Sequence, residues 1–412
     1  MLSLAALLSY GDRYIINLVE GSILGDFALT DGSVSLIMGG GFAVLYAFFG
    51  VPLGRVADRM NRRNLIIAGM ALWCAATAAC AVTTTFAQLL VARMLVGLGQ
   101  AVLMPAATSL IADSFPPRER GRAFSVFHIG AVLGGGLSLS LGGLLLAGVE
   151  HGLLTNMPLL QELPAWRNVM LLAGFSGLPL CLLLLSVREP PRHGLRGARR
   201  LITLARVGVA NRARVVRTCL AVGVVAAGDY GLLSWLPADL ERAYGIHPDS
   251  GGQLIGLMLA CGGLAGCLSS GWLADYFARR RGLPARIWAM RLSYGACLLS
   301  LPLFLAGSSS ALLAGTALWV FGSVSAFVAA NVFLSEAVAN EYRATIIALC
   351  NICSAVIGMG LGPTWVVALS RLMPGGGDGG LGLGIASLCA LAIVVALGLL
   401  SWRVEQEPIR DR

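Results

Sequence analysis

The sequence has no lysine: all thirty of its basic residues are arginine. Charge of either sign is scarce, at 12% of the chain, whereas soluble domains carry roughly 25%. A soluble globular class is therefore excluded. Only four histidines are present, scattered along the chain, and no cluster has metal-ligand spacing. No phosphate loop and no nucleophile elbow occurs. The glycine-rich run Pro374–Gly380 lacks the following Lys-Ser/Thr of a phosphate loop and reads as a flexible turn. The ten cysteines fall in or beside apolar stretches and read as small buried hydrophobes. Cys350 and Cys353 have redox-motif spacing, but inside a membrane helix packing is the better account. With no nucleophile, base or metal set, an enzyme acting within the membrane lacks its parts. The sequence implies no cofactor and no metal.

What is abundant is apolar surface. Hydrophobic residues make up 57% of the chain and its mean hydropathy is +0.79. A bilayer span takes about 20 mostly apolar residues. Twelve such windows are predicted, near 2–24, 33–53, 65–84, 87–112, 123–147, 168–187, 219–240, 252–274, 288–307, 310–334, 344–370 and 381–401. The first lacks the short apolar core and cleavage site of a signal peptide and is expected to be retained.

Arginine placement sets the expected orientation. Twenty-five arginines fall in alternate connections and the tail, with nine of them between Arg188 and Arg217. The opposite connections hold only Arg167, Arg242 and Arg371, and Arg13 and Arg93 lie inside spans. The rich side is expected to be cytoplasmic, with both termini on it, in a bacterial-type inner membrane. The formal charge of +9 is thereby explained without nucleic acid. A basic amphipathic helix near 198–217 resting on headgroups and a solvated linker are both compatible with that segment.

The chain repeats itself at an offset of 217 residues. Asp12 in Tyr10-Gly11-Asp12-Arg13-Tyr14 returns as Asp229 in Gly228-Asp229-Tyr230-Gly231. Gly54-Arg55-Val56-Ala57-Asp58 with Arg62-Arg63 returns as Gly271-Trp272-Leu273-Ala274-Asp275 with Arg279-Arg280. Such duplication characterises secondary transporters, with the substrate site between the halves. The expected organisation is residues 1–187 as one six-helix half, 188–217 as a cytoplasmic linker, 218–401 as the second half and 402–412 as a tail.

Charges inside spans are expensive and mark pathways or relays. Asp12 lies midway along the first span, and Arg93 is the intramembrane cation that suits it. Gln100, seven residues after Arg93, shares its helix face. The Asp12–Arg93 pair is read either as a proton-coupling element or as a buried tie between helices, since buried ion pairs stabilise weakly. Arg13 is offset about 100° from Asp12 and is read either as an anchor for an anion, because guanidinium grips carboxylate or phosphate in bidentate fashion, or as a positional residue paired with neighbours of Asp12. Asp229 has no arginine at the position matching Arg93, which suits a proton carrier or a neutral hydrogen-bonding acid. Tyr10, Tyr14, Gln100, His128, Tyr230, Trp235, Trp319, Asn331 and Asn351 are candidate cavity residues. Asp58, Arg62, Asp113, Arg122, Asp275 and Arg279, at span ends beside arginine-rich turns, are candidate gating residues.

These residues resemble a family. Gly54-Arg55-Val56-Ala57-Asp58-Arg59-Met60-Asn61-Arg62-Arg63 is similar to the loop signature of the major facilitator superfamily, and Arg93-x-x-x-Gly97-x-Gly99 to its fourth-helix signature. The resemblance implies an all-α membrane protein, with twelve transmembrane helices in two pseudo-symmetric six-helix bundles around a cavity, working by alternating access. Within the superfamily the chain resembles spinster-like transporters, through Tyr10–Tyr14, Ser109–Asp113, Arg188-Glu189-Pro190-Pro191-Arg192, Trp235-Leu236-Pro237 and Gly358-x-Gly360-x-Gly362-Pro363. That resemblance implies proton coupling and a lysophospholipid- or sphingolipid-like anion. Sugar-acid symporters share the Asp-Arg of the first helix and the arginine of the fourth. Both groups commonly carry glutamate where this chain has Gln100.

The expectation is a monomeric, proton-coupled secondary transporter for an amphipathic or organic anion, with the substrate, protons and membrane lipids as its only partners. The alternatives are a sugar-acid or small organic-anion symporter, and an uncoupled facilitator. A lipid substrate calls for an apolar cavity open between helices, and a small acid for a closed polar one; the mostly apolar expected lining leans slightly toward the lipid-like or amphipathic case.

Overall fold

A chain crossing lipid must satisfy every backbone N–H and C=O internally, which helices do. Among the described residues all regular structure is helical. The structure is a computed structural model and describes residues 1–57, 59–115, 120–152, 160, 162–190, 209–281, 286–337, 340–372 and 380–401. Asp58 lies outside the described residues, as do the side chains of Arg122, His128, Asp275 and Arg279 within their helices.

Among the described residues eleven helices are long and apolar enough to cross a bilayer. The expected first span is the twelfth. It breaks at Val19 (φ −109°, ψ 17°) into Leu2–Leu18 and Glu20–Phe27, so neither piece spans alone. The fourth span is likewise broken, into Phe86–Gln100 and Leu103–Ser114. The third begins at Arg62, capped by Asn61, whose side-chain oxygen accepts from the Asn64 N–H at 2.9 Å. The fifth covers Arg120–Glu150, and the sixth runs through Ala165–Ser176 and Leu178–Leu184. The seventh begins at Val209, ten residues before its apolar window, whose bounds leave out the basic first turns, and it ends at Tyr244. Residues 191–208 of the connection lie outside the described residues. The remaining spans are Pro248–Arg281, Arg286–Phe304, Ser309–Ala337, a composite eleventh from Asn340 to Ser370, and Leu381–Ser401.

The second and eleventh spans each contain a wide π segment, Leu36–Gly40 and Ser354–Leu361. The two segments face each other. A Cβ on Gly39 would collide with the Met359 carbonyl, so only glycine permits this approach of the two backbones. π segments frequently mark functional positions.

Apolar packing divides the molecule in two. One core joins residues from the seventh to the twelfth spans, and two others join residues of the first six. Leu18, Val34, Met38 and Leu139 cross into the second-half core, and Met359 into the first, so the bundles also meet through apolar contacts. Phe48, Leu182, Leu268 and Leu299 are largely exposed, a pattern that suits lipid and not water. Of the cysteines expected to be buried, Cys261 is exposed, and Cys267 and Cys353 are partly so. In a bilayer such positions face lipid at little cost.

Candidate functional site

The first-half charges converge on one polar cluster. Asp12 projects from the first span towards the third and fourth. Thr77 Oγ1 donates to Asp12 Oδ1 at 2.7 Å, and Gln100 Nε2 donates to Asp12 Oδ2 at 3.2 Å. Arg93 Nη1 lies 3.9 Å from Asp12 Oδ2, close enough for charge pairing but too far for a hydrogen bond. Arg93 is fully buried, its Nε donates to the Ile37 carbonyl at 3.4 Å, and its two terminal nitrogens have no hydrogen-bond partner among the described residues. Arg93 is thus a counter-charge for Asp12, while Thr77 and Gln100 hold its orientation. Seven-residue spacing brought Gln100 and Arg93 onto one face, as the helical repeat requires.

Gln100 also reaches the neighbouring arginine. Its Oε1 accepts from Ser9 Oγ at 3.0 Å and from Arg13 Nε at 2.8 Å. Ser9 and Arg13 are four apart, so both face the fourth span. The Arg13 guanidinium carbon sits 4.4 Å from the Tyr10 ring centroid and 5.1 Å from those of Phe42 and Tyr46. Phe42 and Tyr46, one turn apart on the second span, stack at 5.4 Å. An arginine held against aromatic faces and away from water is a strong anion anchor.

The second half is built differently. Asp229 accepts from Trp319 Nε1 at 2.7 Å. This contact depends on Gly228, where a Cβ would lie 2.5 Å from the Trp319 ring. Tyr230, next in sequence, stacks on Tyr14 of the other bundle at 6.1 Å and 13°. The tyrosines therefore meet at the interface, with Tyr10, Tyr14, Tyr46, Tyr230 and Asp229 all partly accessible. Trp235 and Trp319, expected to line the cavity, are instead fully buried. Trp319 serves Asp229, and Trp235 Nε1 donates to the Pro363 carbonyl at 2.9 Å. Asn331 is partly accessible and bonds back to the Phe327 carbonyl of its own helix, and Asn351 is partly accessible.

Polar contacts between the bundles lie towards the arginine-poor end. Asn17 Nδ2 donates to the Leu233 carbonyl, Ser35 Oγ to the Pro363 carbonyl and Ser140 Oγ to the Gln253 carbonyl, each at 3.4 Å. Arg242 of the seventh span binds Glu20 (3.2 and 3.3 Å) and both oxygens of Asp31 (3.1 Å). These three charges were not singled out in the sequence, because charges at span ends read as interfacial. Their signal was Arg242, one of three arginines on the arginine-poor side.

At the other end, the gating candidates Arg62 and Asp113 form a salt bridge. Arg62 Nε also donates to Glu189 at 2.7 Å, and its Nη1 to Ser109 Oγ at 3.0 Å. Glu189 receives the Arg63 backbone N–H at 3.0 Å. Burial works to raise the Glu189 carboxyl, but the hydrogen bonds from Arg62 and the Arg63 backbone outweigh it and hold the group below the usual carboxylate range. All these groups belong to the first half and the segment leaving it. They tie its third, fourth and sixth spans together.

Comparison with known proteins agrees with this arrangement. The family profile described as Major Facilitator Superfamily matches residues 2–363. An MFS-type efflux pump of Mycolicibacterium smegmatis is 30% identical over 286 residues, 68% of this chain and 62% of that protein. A gallate transporter of Pseudomonas putida is 27% identical, across 95% of this chain and 88% of that protein. The chain thus spans less than two thirds of the efflux pump's length and most of the gallate transporter's. The crystal structure of a bacterial homologue of the human lysosomal transporter spinster, inward-facing and unoccupied, superposes with a TM-score of 0.81 at 25% identity, covering 97% of this chain and 94% of that one.

Proposed function

This chain belongs to the Major Facilitator Superfamily, and on that premise we propose that it is a secondary transporter carrying a small organic anion together with a proton. The observation that carries the reading is Arg13: a buried guanidinium caged by Tyr10, Phe42 and Tyr46, one residue from the carboxylate of Asp12. Adjacent positions on one helix thus supply an anion anchor and a proton acceptor, the two parts a symporter must couple.

The polar, enclosed character of the cluster favours a small acid over a lipid. Its aromatic lining favours a carboxylate borne on a ring, such as a hydroxybenzoate, and the gallate transporter is a relative of that kind. Stacking of Tyr14 on Tyr230 offers two ring faces and two phenol hydroxyls at the bundle interface. The Arg242 cluster ties the two halves at the arginine-poor end. With the arginine-rich end cytoplasmic, as the arginine distribution suggests, that tie supports an inward-facing reading in a bacterial inner membrane. Protonation of Asp12 removes the negative charge that faces Arg93 and biases the rocking of the halves.

A lysophospholipid- or sphingolipid-like anion is the second reading, favoured by the likeness to the spinster homologue. A thermal-shift screen of purified protein at two pH values separates the two, because a ligand of the folded state raises apparent stability by mass action. Stabilisation by hydroxybenzoates or sugar acids supports the first reading. Stabilisation by lysophospholipids alone replaces it with the second.

A further inference from the structure

We infer that Gln100 is the positioning residue that couples proton uptake at Asp12 to anion binding at Arg13, an inference that rests on the organic-anion reading above. An isolated carboxamide has two orientations, but the Gln100 oxygen is claimed by two donors, Ser9 Oγ at 3.0 Å and Arg13 Nε at 2.8 Å. Its nitrogen is thereby turned to Asp12 Oδ2 at 3.2 Å. A donor at that oxygen serves the ionised carboxylate, which accepts on both atoms. While Arg13 holds Gln100, Asp12 is held as an acceptor.

A substrate carboxylate needs the same guanidinium. Bidentate pairing takes two of its N–H groups, and an anion engaging the Nε edge displaces the Gln100 oxygen. The amide is then anchored by Ser9 alone and can turn away from Asp12. The carboxylate keeps Thr77 and the Arg93 charge at 3.9 Å, but loses one of its two side-chain donors. Loss of a donor to the ionised form favours protonation. Anion binding and proton uptake therefore reinforce each other, and reciprocally, since linkage between two binding events is symmetric. The groups facing Asp12 are few. They are Thr77, Cys74 and Cys80 from the third span, Arg93 and Gln100 from the fourth, and Arg13 from its own helix. Of these, Gln100 bonds both Asp12 and Arg13.

Gln100 is a neutral amide. A glutamate here would set a second carboxylate against Asp12 and bring a proton of its own. The neutral amide adds none, so coupling runs through one titrating group and one rotating side chain.

The test is binding of a monohydroxybenzoate to the purified full-length transporter across a pH series. Wild type is expected to gain affinity as pH falls through the window where Asp12 titrates, with about tenfold per pH unit as the limit set by one proton taken up with one anion. Gln100→Leu is expected to flatten that slope while binding persists, and Gln100→Met, closer in shape, serves if the leucine variant does not fold. Thr77→Val is the contrasting variant: it removes a donor that Arg13 does not touch, so the window moves to higher pH while the slope is kept. A wild-type slope in both Gln100 variants overturns the inference and leaves the organic-anion reading standing. Absence of carboxylate binding to wild type at every pH overturns both.

Discussion

Arg242→Gln is expected to open the arginine-poor end of the molecule. Arg242 belongs to the second half, and its partners Glu20 and Asp31 to the first, so the cluster is a direct tie between the rocking bodies. Glu20 is 3% exposed at its side chain, Arg242 17% and Asp31 25%. Removing the arginine leaves two carboxylates facing each other across the interface, one of them buried. Breaking a fully buried pair costs about 3–5 kcal/mol, and an exposed one about 0–1 kcal/mol. This cluster lies between those limits, at about 2–3 kcal/mol, which is roughly a 30- to 150-fold shift of the equilibrium towards opening. Spin labels on exposed Ser22 and Ala243, in a cysteine-free background, read the separation of the two bundles at that end. The variant is expected to populate a longer distance that wild type lacks. Arg242→Lys keeps the charge but not the fork that grips both carboxylates, so it should fall between the two. Combining Arg242→Gln with Glu20→Gln and Asp31→Asn removes the stranded charges and should restore much of the short distance, the non-additivity expected of groups in contact. An unchanged distance distribution in Arg242→Gln would refute the assignment of this cluster as the outer closure.

Three further outcomes follow from the geometry. Arg13→Lys is expected to weaken anion binding about tenfold or more, because lysine cannot present the planar fork that Tyr10, Phe42 and Tyr46 sandwich; titration calorimetry measures it. Gly39→Ala is expected to destabilise the structure by about 1–3 kcal/mol, the usual range for overpacking, because the added methyl meets the Met359 carbonyl; a lower melting temperature in detergent, with the Ser22–Ala243 distance lengthened, registers it. Glu189→Gln is expected to cost about 1–2 kcal/mol at neutral pH, the range for losing a charge-assisted hydrogen bond at a partly exposed site. Because Glu189 is held below the usual carboxylate range, its contribution is fully present above that range and fades as pH falls through its lowered value. Melting curves of wild type and Glu189→Gln should therefore converge in acid.

The repeat and the span pattern made the broad design legible. An apolar window of bilayer length needs no tertiary information, and Asp12, Arg93 and Gln100 were visible because charged or polar groups are rare at mid-span. Thr77 and Ser9 were not visible. A hydroxyl within an apolar helix usually bonds back to its own backbone, as Ser293 does to Ala289, and nothing local separates the two cases. The aromatic cage had the same obscurity: Phe42 and Tyr46 in an apolar span read as packing until Arg13 is placed between them. The break at Val19 has no glycine or proline to announce it, whereas the one at Ala101–Val102 lies three to four residues before Pro105, which lacks an N–H for the Ala101 carbonyl and crowds it. The π segments at Leu36–Gly40 and Ser354–Leu361 depend on the opposing backbone. Trp235 and Trp319 misled for the opposite reason. A tryptophan near a mid-span carboxylate suggests a binding face, but both rings are buried and each spends its N–H on a protein acceptor, the Pro363 carbonyl or Asp229.

Uptake of a radiolabelled hydroxybenzoate into proteoliposomes under an imposed pH gradient decides whether a proton travels with the anion. Wild type is expected to accumulate the anion against its own gradient when the interior is alkaline, and to stop when a protonophore collapses the pH difference. Asp12→Asn is expected to lose this accumulation while still exchanging labelled for unlabelled anion. Accumulation unchanged in Asp12→Asn but abolished in Asp229→Asn would move coupling to the second half, and uptake indifferent to the pH gradient would contradict proton coupling altogether.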